Sequence, residues 1–428
     1  MSTTVESPTP RPARRMAPRW QLLIVMTLAL LLRLLAAVLV EHHVQLEGRT
    51  FFVEGDANGY WHLGKAIAAG EDYAIHLPPR RVLRVPGFPL LLAASIYVFG
   101  DHVFPARCVL AAVGVCCCWM TWLLGKRLVT RRVGFWAAVL MAVHPLQIGN
   151  SVLILSESWF TFWMLAGLLA LVQLIDGSRG IFNKTSRIDI GLPGRSALTG
   201  GLIAIAVLVR PGFIPWIVVA VAGVLLFQKR SWGARWTVAA VMTISFGAVM
   251  LPWIVRNYRV TGHWVVTSLW SGPSLYDGLN PQADGSSNMK FFDHDNVMAT
   301  MSEYEMNAHY QQLAFEYVRE NPGAAVVLAG RKVLNFLQPV PASTSKEWVF
   351  WAACGTSGVL MVALCLAGIR TRLLDSVGLL VVLGPFLLFL GVHMVFVGSL
   401  RYRLPAEFPL AILAAAGLCQ WLPARKPG

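Results

Sequence analysis

The chain has 428 residues, 56% of them hydrophobic and 14% charged, with a formal net charge of +14 and a mean hydropathy of +0.58. Soluble proteins carry about 25% charged and about 45–50% apolar residues, so this composition excludes a soluble globular protein and points to a polytopic membrane protein. Lys and Arg sit in short clusters between apolar runs, without a basic stripe or an RNA-binding motif, so the charge reports membrane orientation and not nucleic acid.

Residues 1–17 are rich in Pro, Ser and Arg and read as a disordered cytoplasmic tail, with residues 18–428 forming a single transmembrane domain. The run at 20–40 is too long for a signal peptide and has no clear small-residue cleavage site, so it reads as a retained first span. Runs near or above the roughly 20 residues needed to cross follow at 106–125, 152–175, 236–254, 347–369, 374–397 and 404–422. Shorter ones lie at 133–149, 197–210 and 212–228, giving about ten spans in an all-α bundle.

Basic clusters occupy alternate connections: Arg127, Arg131 and Arg132; Arg179, Lys184, Arg187 and Arg195; Lys229, Arg230 and Arg235; Arg370 and Arg372; Arg425 and Lys426. The positive-inside rule puts all of them, and both termini, in the cytoplasm of a multi-pass cell-membrane protein. The alternation requires the run at 88–99 not to cross, and it is too short to do so. Two large external loops result, at about 41–105 and 257–346. The second predicts a helix over 299–320 and another after Pro322, a residue suited to a first helical position. All seven cysteines fall within or beside apolar runs, without metal-ligand spacing or a disulfide framework.

The first loop holds the densest chemistry, EGDANGYWHLGKAIAAG followed by RRVLRVPGFP. Asp56, Tyr60, Leu63 and Ile67 fall on one stripe of a helix expected to lie on the membrane, with Asp56 at its start. Asp56 reads either as a functional carboxylate or as a helix N-cap. Prolines and Gly87 hold Arg84 in a fixed turn, and its planar fork suits phosphate oxygens. Arg80 and Arg81 read as interfacial anchors to lipid headgroups. Glu157, Arg210, Arg401 and Arg403 stand in apolar context near the outer ends of spans, where they converge on a polar cavity. His144, beside Pro145, reads as a structural histidine.

The blocks GDANGYWHLGKAIAAG, RVPGFPLLLA, HPLQIGNSVLILSES, GLIAIAVLVRPG, PWIVRNYRVTG and RYRLPAEFP resemble, in order, those of bacterial protein-mannosyltransferase-like and aminoarabinose-transferase-like glycosyltransferases of the GT-C fold. The resemblance runs from the first span to the last. It implies a polyprenyl-phosphate-linked sugar as donor and a lipid, glycan or protein acceptor at the outer face; no cofactor is expected, and the lack of a compact His and carboxylate cluster with ligand spacing predicts no metal. The family's catalytic loop acid matches Asp56, and its phosphate-binding basic residue matches Arg84, with Tyr60, Arg401 and Arg403 assigned to the same phosphate. Glu54, Glu157 and Arg210 are assigned to the cavity; Glu54 is separated from Asp56 by Gly55, whereas some relatives have adjacent acids. Direct displacement of the lipid phosphate would invert the anomeric centre.

Two other classes compete. A transporter or lipid flippase would show internal repeats and paired broken helices near the midplane, and this chain instead concentrates polar residues in two external loops. A non-catalytic scaffold would need no acid set among arginines.

Overall fold

The computed structural model describes residues 18–176, 190–340 and 348–423. The expected N-terminal tail, the basic residues Arg179, Lys184, Arg187, Arg425 and Lys426, and positions 341–346 of the second loop lie outside the described residues. The first span is α1 (Pro18–Leu46), and the first loop folds into α2 (Asp56–Ala69) and α3 (Gly87–Phe99). The bundle continues with α4 (Val103–Leu128), α5 (Arg131–Val143), α6 (Pro145–Asn150), α7 (Glu157–Asp176), α8 (Gly191–Val209), α9 (Trp216–Phe227) and α10 (Trp232–Thr261). The second loop holds α11 (Ser271–Gly278), α12 (Lys290–Asp295), α13 (Val297–Thr300), α14 (Glu303–Glu320) and α15 (Pro322–Leu337). The chain then returns as α16 (Trp348–Thr371), α17 (Ser376–Val395) and α18 (Leu400–Cys419).

Each of the ten apolar runs is helical over most of its length. Among the described residues, seven helices are long and apolar enough to cross a membrane by themselves. The run at 133–149 breaks into α5 and α6 because Pro145 disfavours helical geometry at His144, which is extended at φ −68°, ψ 117°. Arg33, fully buried in α1, occupies that break: its guanidinium donates to the carbonyls of Met141 at 3.1 Å and Ala142 at 3.2 Å. A cation there satisfies the open carbonyls at the end of α5, which makes it tolerable inside the bundle. Close helix contacts depend on small residues: a methyl group at Gly200 would lie 2.0 Å from the carbonyl oxygen of Met242, and one at Gly368 equally near that of Leu413.

The two loops form one layer over one end of the bundle. Leu63, Ile75 and Leu83 from the first cluster with Val297, Met306 and Tyr310 from the second. The stripe expected against the bilayer therefore places Leu63 under protein. Arg80 is buried, donating to the carbonyls of Met298 and Met301, and Arg81 pairs with Asp72 at 2.6 Å. These partners are protein groups, not lipid headgroups. Val82 donates its N–H to Glu303 at 2.9 Å and accepts from Leu269 at 2.9 Å, so residues 80–85 are clamped from both sides.

The helix expected over 299–320 begins at Glu303, because Ser302 and Glu305 form a reciprocal capping box. The helix after Pro322 starts at that residue. All seven cysteines are free.

Candidate active site

Gly55 turns the chain at φ +72° and α2 begins at Asp56. No side chain caps this helix. The capping alternative for Asp56 is therefore not what the fold uses: its carboxylate points into a cluster of arginines. Oδ1 accepts from Arg84 at 2.8 Å and Oδ2 from Arg401 at 2.9 Å. The guanidinium of Arg84 lies 4.5 Å from the centre of the Tyr60 ring, and Tyr60 packs edge-on against Phe88.

Behind this pair, Glu157 opens α7 and is fully buried. It accepts a hydrogen bond from Arg401 and stands 2.8 Å from Arg210, which ends α8. Tyr402 lies beneath both Arg210 and Arg401, 5.2 and 5.8 Å from their guanidinium carbons. Residues separated by up to 345 positions thus meet in one chain of alternating charge. Two arginines supply the compensation that this buried carboxylate needs.

Burial favours the neutral form of Asp56. Arg84, and after it Arg401, outweigh that effect through charge and hydrogen bonding and hold the carboxyl well below the usual carboxylate range.

The cluster stands at a cavity of about 390 Å³ lined by Asp56, Tyr60, Arg84, Arg210, Arg401 and Tyr402. Phe160, Phe213, Phe389 and Phe396 supply an apolar floor, and hydroxyl-bearing residues of the second loop supply the facing wall. A cationic edge beside an apolar floor suits the junction of a phosphate and a hydrocarbon chain.

Of the residues expected from the sequence, Asp56, Tyr60, Arg84, Glu157, Arg210 and Arg401 come together. Arg403 does not join them: it pairs with Glu407 at 2.9 Å and donates to the carbonyls of Phe336 and Gln338. Glu54 is exposed, and its backbone oxygen, not its carboxylate, meets Asp56, accepting from the N–H at 2.9 Å. Tyr402, His393 and Asp277 line the cavity without having been expected. His144 is buried 3.9 Å from Glu407, away from the cavity. Among the described residues, no three His, Cys, Asp or Glu side chains converge with metal-ligand geometry.

No protein-family model and no curated protein matches the chain. Solved structures do. The oligosaccharyltransferase of Archaeoglobus fulgidus in its apo form is similar at a TM-score of 0.56 and 16% identity, covering 94% of this chain and 51% of that one. The oligosaccharyltransferase AglB from the same organism, in complex with an inhibitory peptide and a dolichol-phosphate, gives 0.54 and 13%, covering 94% and 50%. ArnT from Cupriavidus metallidurans, bound to undecaprenyl phosphate, covers 94% and 79% at 12% identity with a TM-score of 0.46. The chain spans about half the length of the oligosaccharyltransferases it matches. What it shares with them is the fold, the GT-C arrangement of membrane helices.

Proposed function

We propose that this protein is a membrane glycosyltransferase that moves a sugar from a polyprenyl-phosphate donor to a lipid, glycan or protein acceptor at the outer face of the cell membrane. The observation that carries this reading is the carboxylate of Asp56, held between Arg84 and Arg401 at the edge of a cavity with an apolar floor. A dolichol-phosphate accompanies one oligosaccharyltransferase that shares the fold, which fits a lipid-phosphate ligand here.

The residues suggest a division of work. Arg84, Arg401 and Arg210 offer N–H groups to the phosphate oxygens, and fixed donors lower the barrier where negative charge develops on a leaving group. One such charge pair at about 4 Å is worth about 4 kcal/mol at an effective dielectric of 20, nearly three decades of rate if realised mainly in the transition state. The buried Glu157 orients two of these arginines. Asp56 accepts the proton of the attacking hydroxyl. While both its oxygens are tied to arginines it is a weak base; a donor phosphate drawing on the same guanidinium groups would loosen those bonds and raise its basicity. Attack opposite the leaving phosphate inverts the anomeric centre.

The direct test is incubation of purified protein with labelled polyprenyl-phosphate sugar. Transfer to an acceptor, or slow release of the sugar to water, in wild type but not in Asp56→Asn supports the reading. Movement of the lipid across vesicles with no cleavage by wild type would instead favour a flippase.

A further inference from the structure

One wall of the cavity takes no part in the chemistry above. Helix α11 turns a single face to it, with Ser271, Ser274 and Asp277 spaced three residues apart, and Ser287, Thr267 and Ser268 extend the wall. The helix is closely packed at both ends: a methyl group on Gly272 would lie 2.0 Å from the carbonyl oxygen of Asn307, and one on Gly278 would lie 2.9 Å from Nζ of Lys332, so neither position has room for a side chain. Asn307 Oδ1 also accepts from the Gly272 N–H at 2.7 Å and the Ser271 hydroxyl at 3.2 Å.

Asp277 is 4% exposed and accepts the N–H of Asn288 at 2.7 Å and the hydroxyl of Ser287 at 2.6 Å. An ionised carboxylate has about four acceptor sites, so two remain. Among the described residues no cation bonds it: Lys332, nearby and fully buried, donates to the carbonyl of Val395 at 2.7 Å. The hydroxyls of Ser274, Thr267 and Ser268 have no hydrogen-bond partner among the described residues. This wall differs from the other two. Its carboxylate repels phosphate, and its hydroxyls are wasted on hydrocarbon. A dense array of neutral donors and acceptors around one carboxylate suits a ligand that is itself dense in hydroxyl groups.

We infer that the α11 wall is a sugar-ring subsite, in which Asp277 accepts hydrogen bonds from ring hydroxyls and Ser274 both donates and accepts. The inference rests on the glycosyltransferase reading and extends it to the part of the substrate that decides specificity. The ring belongs either to the donor's glycosyl group or to a glycan acceptor, which share this chemistry.

Affinities of wild type, Asp277→Asn and Ser274→Ala test it with three probes: bare polyprenyl phosphate, polyprenyl phosphate carrying glucose, galactose, mannose or arabinose, and octyl glucoside as a glycan mimic. Ser274→Ala removes no internal hydrogen bond, so it guards against a folding artefact. Both variants should bind the bare lipid as wild type does and lose about tenfold or more for the best-bound sugar lipid. A loss confined to octyl glucoside would also support the subsite and assign it to the acceptor. Unchanged affinity for every sugar-bearing probe in both variants overturns the inference. Failure of wild type to bind even bare polyprenyl phosphate overturns the glycosyltransferase reading instead.

Discussion

In the proposed mechanism Asp56 is the residue on which the chemistry turns. Asparagine in its place keeps one oxygen for an arginine but cannot take a proton, so turnover should fall by about two to four decades while donor binding survives. Full activity of the variant would remove Asp56 from the mechanism. A second expectation follows from charge. Arg84 and Arg401 depress its pKa, so its carboxylate is ionised wherever an ordinary aspartate is. The stability this pairing contributes is present above the ordinary value of about 3.9 and is lost only as pH falls through the depressed one. The kcat/KM profile of the free enzyme should thus show no limb from Asp56 between about pH 5 and 8; a limb there that vanishes in Asp56→Asn would contradict the geometry. For Arg84, alanine leaves Asp56 short of a partner and should cost donor use on the order of two decades. Lysine should restore part of it, since it keeps the charge without the fork. Asp56, Arg84, Glu157, Arg210 and Arg401, which the structure brings together, were legible as neighbours because charges beside apolar runs need partners, and Tyr60 because it shares a helical stripe with Asp56. The sequence misplaced Arg403 because residues 400–404 are helix and not loop: two positions along a helix turn a side chain about 200° away from Arg401. Asp277 and Tyr402 carry no comparable linear signal, since only the folded second loop and α18 aim them at the cavity.

At the scale of elements, hydrophobic runs located the seven helices that, among the described residues, are long and apolar enough to cross a membrane, and the errors lie where local chemistry overrides a run. Pro145 splits one helix, and the Ser302–Glu305 box starts another later than its apolar pattern suggests. The clamp on residues 80–85 was not legible, because it consists of backbone groups bonded to Glu303 and Leu269 over 180 positions away. Gly87 shows how tightly that region is built. A methyl group there would stand 2.5 Å from the carbonyl oxygen of Leu208 and 2.7 Å from the side chain of Val209. Trp159 also donates to the Gly87 carbonyl at 3.0 Å. Gly87→Ala must therefore separate α3 from the end of α8, and with them Arg84 from Arg210. Overpacking of this kind costs about 1–3 kcal/mol. The melting temperature in detergent should drop by several degrees, and turnover should fall although no cavity side chain is removed. Gly149→Ala, whose methyl would meet nothing within 4 Å, is the matched control. Equal behaviour of the two variants would show that the α3–α8 contact does not position the site.

In the whole molecule, ion pairs mark the two ends of the bundle. Asp56, Glu157, Arg210 and Arg401 join the start of α2, the start of α7, the end of α8 and the start of α18 at one end. At the other, Arg127 at the end of α4 pairs with Asp176 at the end of α7, and Arg132 at the start of α5 donates to the carbonyls of Leu422 and Pro423 after α18. With the ten crossings read from the sequence, both ends of the described chain would lie on the second side, together with Arg127, Arg131, Arg132, Lys229, Arg230, Arg370 and Arg372. On the positive-inside rule we propose that this side is cytoplasmic and the cavity external. Cysteines introduced at Ser286, in the exposed second loop, and at Arg372, between α16 and α17, test this with a membrane-impermeant thiol reagent in a background lacking the native cysteines. The first should react in intact cells and the second only after permeabilisation. The reverse pattern would turn the cavity toward the cytoplasm, and the proposed acceptor would then have to be sought among cytoplasmic molecules.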